Sequence, residues 1–299
     1  MTFQDKYLQI LNEVKEEVEQ IKQEITSDIS IQEPLKSKLF ELMTAPSKHI
    51  RAVVSFLYLK AEGQNIDDRQ VSLQTAVELV HNASLIHDDI IDESCERRSL
   101  KTINDEFENK LAVISGDYLL SIALKKICNL NSIKLIEMFA QTLDEMCKGE
   151  VTQYFNKFEI PSIEDYLKKT EQKTAKLFET ALCGAILLTN SNSNPKEFAK
   201  NLGIAFQIRD DLINIKTTKS DLHEGIYTAP VIYSRNINKP DDGIEKTKLL
   251  LNNYIEKEDS LHWLSSFSIY PQSPPLSPPP AYSQKYGRLR QFPPTRNDV

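Results

Sequence analysis

A chain of 299 residues, 40% of them apolar, has material for one large domain or two small ones and for a substantial core. Its net charge of -7 argues against nucleic acid as the main ligand, because backbone binding needs clustered Lys and Arg. Four scattered cysteines, Cys95, Cys128, Cys147 and Cys183, have no Cys-x-x-Cys spacing, which excludes a zinc or disulfide framework and predicts a reducing compartment.

The first residues lack a basic segment followed by a long apolar one, so no secretory signal is expected. No stretch reaches the roughly 18 apolar residues of a membrane span, so a soluble protein is expected, with peripheral membrane contact left open for a greasy product. In chain order, Leu8, Leu11, Val14 or Val18, Ile21 and Ile25 recur at helical spacing and predict one amphipathic helix over 3–26. A second is expected over 34–43, with Pro34 suited to a first turn. Further apolar helical runs fall at 50–61, 71–93, 110–130, 132–154, 163–189 and 195–215, and strand-like alternation is absent. The expected class is all-α, long helices around a central space. Residues 189–195 read as a polar connector and 241–243 as a turn. Residues 270–299 hold eight of the 14 prolines. The expected division is therefore one helical domain over 1–268 and a Pro-rich, extended tail over 269–299.

Two of the apolar runs carry adjacent aspartates: Ser-Leu-Ile-His-Asp-Asp-Ile-Ile-Asp at 84–92 and Ala-Phe-Gln-Ile-Arg-Asp-Asp-Leu-Ile-Asn at 205–214. Residues four apart share a helix face, so Asp88 and Asp92 present two carboxylates to one side. So many carboxylates beside a core are costly unless cations neutralise them, and the oxygen-rich pattern suits Mg²⁺ held jointly with substrate phosphates. The second cluster offers Asp210 and Asp211, with neutral Asn214 where a third charge would stand. Basic groups lie close in sequence: Lys48 and Arg51, Arg97 and Arg98, and Lys173 with Thr174. Their forks and point charges match phosphate oxygens.

With these residues in view the chain resembles the trans-polyprenyl diphosphate synthase family. The resemblance spans about residues 35–235. Glu78 to Glu93 is similar to the family's first aspartate-rich motif and its upstream helix, and Arg97-Arg98 falls where paired arginines fall. Gly116-Asp117, Gly149-Glu150, Lys173-Thr174-Ala175, Phe206-Gln207 and Asp210-Asp211 follow in order. The resemblance implies the isoprenoid synthase fold, a homodimer, and head-to-tail addition of isopentenyl diphosphate to an allylic diphosphate. It implies Asp88, Asp92 and Asp210 as Mg²⁺ ligands and Arg97 as a contact of the allylic diphosphate. Lys48, Arg51, His81 and Arg98 would bind isopentenyl diphosphate, while Lys173, Thr174 and Gln207 would steady the leaving group or the developing cation. A bacterial cytoplasm and a plastid fit equally.

Ala83 and Ser84 lie five and four residues before Asp88, about 6 to 7.5 Å along the helix, and are expected to face the growing chain. With Val80 below them they leave the channel open, which predicts a product longer than about 20 carbons, such as a quinone side-chain precursor. The chain departs from the family at Pro46-Ser47, where a glycine pair is usual, at Asn214, and at Ile226, where a lysine is familiar. A catalytically weak or partner-dependent subunit of the same fold, a class I terpene cyclase and a helical interaction protein stay open as alternatives.

Overall fold

Burial decides which helices form the middle of the molecule. The computed structural model describes residues 10–256. Of the predicted first helix, residues 3–9 lie outside them. Residues 10–12 are helical, residues 13–14 form a turn, and the continuous helix α1 is Lys15–Asp28, burying Val18, Ile21 and Ile25. The expected single helix over 3–26 is thus broken at 13–14, where Val14 turns into the core at 0% exposure. Helix α2, Leu35–Thr44, follows Pro34 as predicted.

Helices α3 (Ile50–Ala61) and α4 (Asp68–Ile91) are buried nearly all round. Asp67 starts α4 with a capping box, its side chain accepting from the backbone of Arg69 and Gln70 while the Asp67 N–H donates to Gln70 Oε1. That cap moves the start three residues earlier than apolar spacing suggested. After α4 the chain forms a two-stranded ribbon, Glu96–Arg97 against Leu100–Lys101, which a search for alternation could not find because each strand is two residues long. Arg98 and Ser99 turn it with φ of 54° and 62°. Helices α5 (Ile103–Phe107), α6 (Asn109–Asn129) and α7 (Ile133–Phe155) come next.

The predicted helix over 163–189 is three pieces. Helix α8 (Ile163–Thr170) passes into a π turn (Glu171–Ala175) and then into α9 (Lys176–Leu187). Such bulges recur where a side chain must be re-aimed. Helix α10 is Lys196–Lys216; the short α11 (Ser220–His223) and α12 (Ala229–Ser234), a 3₁₀ turn (Pro240–Gly243) and α13 (Ile244–Glu256) complete the described chain. Helices α3, α4, α7 and α10 pack with α9 and the π turn around a central region, the all-α arrangement of long helices that was expected. The predicted tail, 269–299, lies outside the described residues.

Two glycines let neighbours close on the π turn. A Cβ on Gly203 of α10 would stand 2.5 Å from Ala175 Cα, and one on Gly149 of α7 would stand 3.1 Å from the Lys173 backbone nitrogen. The first contact is backbone and cannot give way without moving α10. Gly203→Ala is therefore expected to destabilise the protein by about 1–3 kcal/mol, read as a lower denaturant midpoint at unchanged m. An unchanged midpoint would mean that the packing relaxes freely.

Candidate active site

Asp88 near the end of α4 and Asp210 on α10 line one cavity of about 480 Å³. Arg51, His81, Lys173, Thr174 and Gln207 line it too, as do Ser84 and Val80. Asp92, one turn beyond Asp88, opens instead into an adjoining cavity of about 150 Å³ that shares Lys173, Thr174 and Gln207. Away from the acids the larger cavity is walled by aliphatic and sulfur side chains, among them Leu120, Leu143, Met146, Cys147 and Leu177. One end can hold charge and the other a hydrocarbon.

Ala83 is a correction. It is 0% exposed and absent from the cavity wall, whereas Ser84 and Val80 belong to it. An offset of five residues turns a side chain about 140° away from Asp88, while offsets of four and eight keep it within about 80°.

Each doubled aspartate divides. Asp89 is 4% exposed and accepts from Arg97 Nε at 2.8 Å, with Nη2 at 2.7 Å. Arg97, assigned by resemblance to a diphosphate, is bonded here to the scaffold side of the first pair. Asp211 is 2% exposed; it accepts from Tyr166 Oη at 2.6 Å and from Gln207 Nε2 at 2.9 Å. Gln207 Oε1 accepts in turn from Thr174 Oγ1 at 2.8 Å, so Asp211 anchors a relay of bonds that ends in the cavity. Asn214 donates to Ser220 Oγ at 2.7 Å and to Asp221 Oδ1 at 3.1 Å, tying α10 to α11.

The cavity acids are electrostatically strained. Burial pushes Asp88 up to about 6, helped by Glu150 and Asp92 and opposed by Lys173. Burial likewise pushes Asp210 up to about 6, with Asp211 adding to it and Arg209, Lys48 and Arg51 opposing. Cations stand by each: Lys173 is 3.7 Å from Asp88, Lys157 is 3.5 Å from Asp92, and Arg209 is 4.0 Å from Asp210. Lys173, aimed by the π turn, also pairs with Glu150. Burial would lower its affinity for a proton, but Asp88 and Glu150 more than compensate and raise it. Glu150, Lys157 and Asp221 carry no assignment from sequence; only the Gly149-Glu150 pair marked one of them. Asp221 is raised to about 7 by burial, with Asp211 and Glu224 adding to it.

A second basic group reaches Asp210 through Lys48 and Arg51 and Glu78 through Arg51 and Arg98. Arg51 is buried, with its guanidinium 4.9 Å above the Phe178 ring. Burial lowers Arg98 as well, and holds His81 well below its ordinary value, with the Arg51 charge adding to the depression. Lys48 falls to about 8 through burial, with Arg209 contributing.

A family profile described as Polyprenyl synthetase matches residues 32–264. This chain belongs to the polyprenyl synthetase family. It is a transferase that extends an allylic diphosphate with isopentenyl units. Among its relatives, a protein described as a prenyl transferase from Cyanidium caldarium is 33% identical over 265 residues, 83% of this chain and 80% of the relative. A decaprenyl-diphosphate synthase from Dictyostelium discoideum is 37% identical over 212 residues, 67% of this chain but 46% of that protein. The crystal structure of a decaprenyl diphosphate synthase from Rhodobacter capsulatus shares the fold at a TM-score of 0.77 and 21% identity, covering 89% of this chain and 94% of that one.

Membership in this polyprenyl synthetase family carries divalent-metal-assisted ionisation with it. Among the described residues no group of three or more His, Cys, Asp or Glu converges closely enough to hold an ion by itself. The donor set nonetheless fits: buried, mutually repelling carboxylates on two walls gain from a divalent charge, and a hard cation completes its shell with phosphate oxygens and water. Among the described residues no helix is long and apolar enough to cross a membrane.

Proposed function

We propose that this polyprenyl synthetase makes an all-trans polyprenyl diphosphate longer than about 20 carbons, of the kind used as a quinone side chain. The observation that carries the reading is the aliphatic part of the cavity below Asp88, with Ser84 where a bulky ring would close it. In this reading Asp88 and Asp92 on one wall and Asp210 on the other hold Mg²⁺, which would spread charge over the departing diphosphate. Lys173, Thr174 and Gln207 orient that leaving group, and Arg97 supports it from the ribbon. Lys48, Arg51, His81 and Arg98 hold isopentenyl diphosphate so that its double bond meets the allylic carbon. With substrates in place the aliphatic wall would keep water from the cation.

Purified protein with isopentenyl diphosphate, Mg²⁺ and primers of 10, 15 and 20 carbons tests this. Products beyond 20 carbons support it; a stop at 20 overturns the length, and no elongation by folded protein overturns the reading in favour of a partner-dependent subunit. The apparent KM for isopentenyl diphosphate is also expected to climb as pH rises through about 8, because Lys48 then loses its proton and its attraction for the diphosphate. Lys48→Arg should flatten that profile between about pH 7 and 9.5; an identical profile would remove Lys48 from the site.

A homodimer is supported by exposed Val113, Ile114 and Leu124 on α6 and Ile133 and Ile136 on α7. A monomer by sedimentation at micromolar concentration would exclude it. Four unbridged cysteines, three of them exposed, support a reducing compartment, which a bacterial cytoplasm or a plastid provides. Residues 1–268 are read as one prenyltransferase domain, and removal of 269–299 should leave turnover intact.

A further inference from the structure

Glu78 and His49 form a buried pair that the reaction as described does not use. They lie 29 residues apart, on α4 and at the start of α3, with His49 Nδ1 2.9 Å from Glu78 Oε2 and side-chain exposures of 4% and 2%. His49 takes φ of 45°, in the left-handed region, which is costly for a residue with a Cβ. Buried at that φ, its ring reaches Glu78 inside the molecule. Burial alone would raise Glu78, yet the His49 hydrogen bond and the nearby Arg51 charge hold it near 2.

The placement of this carboxylate matters more than its charge alone. Arg51 follows His49 by two residues on α3, and His81 follows Glu78 by three on α4. Glu78 is the acid that favours the charged state of Arg51, of His81 and of Arg98 alike. Without it Arg51 would keep Asp210 as its counter-charge, and Arg98 would be left beside the like charge of Arg97. Two buried atoms of this cluster, Arg51 Nε and Glu78 Oε1, have no hydrogen-bond partner. The aim of the guanidinium thus depends on the fields of Glu78 and Asp210 and on the Phe178 ring, and on no direct bond at Nε.

We propose that Glu78, clamped by His49, is a positioning residue that sets the Arg51, His81 and Arg98 cluster for the diphosphate of the non-allylic substrate. The inference rests on the reading of that cluster as the isopentenyl diphosphate site. Loss of a buried charge coupled to such a cluster is worth about tenfold in affinity.

Steady-state kinetics on the full chain test it. In Glu78→Gln the KM for isopentenyl diphosphate should rise at least about tenfold, while the KM for a 15-carbon allylic diphosphate stays within twofold. His49→Phe should follow it, and His49→Gln, which keeps a donor to Glu78, should recover most of the loss. Calorimetric titration with isopentenyl diphosphate alone, without metal, should reproduce the order of the variants. Equal changes in both substrates, or His49→Phe and His49→Gln behaving alike, would overturn the assignment. If Glu78→Gln does not fold, the two His49 variants carry the comparison. Arg51→Ala separates the two levels: unchanged isopentenyl diphosphate affinity there removes the site itself, whereas a loss there with none in Glu78→Gln removes only the role of Glu78.

Discussion

Asp88→Asn should lower turnover by about 10²–10³ and leave the metal-free protein at least as stable as before. Both halves follow from the position of the carboxylate at the head of the cavity. Ionised Asp88 faces Glu150 and Asp92 in a desolvated setting, and its folded pKa of about 6 lies above the ordinary 3.8. A raised carboxylate costs stability in its charged form: nothing is lost below the ordinary value, the cost grows as pH rises toward about 6, and it is complete above that. Asn removes that cost, about 3 kcal/mol at neutral pH. It also removes the charge that gathers divalent ions at the leaving group. Product formation measures the first effect, and chelator-treated unfolding at pH 7.5 and pH 4 the second. A variant that unfolds earlier than the parent at neutral pH, or one that turns over normally, would contradict the role.

Ser84→Phe and Ala83→Phe should part company despite being neighbours. Ser84 lines the cavity one turn below Asp88, so a ring there narrows the hydrocarbon end and should move the product distribution to shorter chains. Ala83 is fully buried off the cavity wall, so the same ring has no void to enter. It should instead destabilise by about 1–3 kcal/mol, or prevent folding, with product length unchanged wherever protein survives. Chromatography of the products together with unfolding midpoints distinguishes the two. Shortened products from Ala83→Phe, or an unchanged distribution from Ser84→Phe, would reject the channel direction.

Long amphipathic periods made most helices legible, and ordered motifs brought Asp88, Asp210, Lys173 and Gln207 to one cavity on the page of the sequence itself. Four things were not legible, each for a physical reason. The π turn at Glu171–Ala175 holds no Gly or Pro, so the run 163–189 reads as one helix although its ladder slips where Lys173 is aimed. The ribbon that carries Arg97 and Arg98 is too short for a period. The His49 bond has no local signature, because its partner is a buried glutamate that only tertiary packing brings near. Asn214 reads as a lost carboxylate, and its amide is spent on Ser220 and Asp221.

The split within each aspartate pair also bears on redundancy. Successive residues on a helix point about 100° apart, so Asp89 and Asp211 are committed to Arg97 and to Tyr166 with Gln207, and they cannot swing round to stand in for Asp88 or Asp210. Twin letters in the motif therefore supply no spare part: damage to one twin disarms the cavity, damage to the other loosens its frame, and neither injury is masked by the survivor.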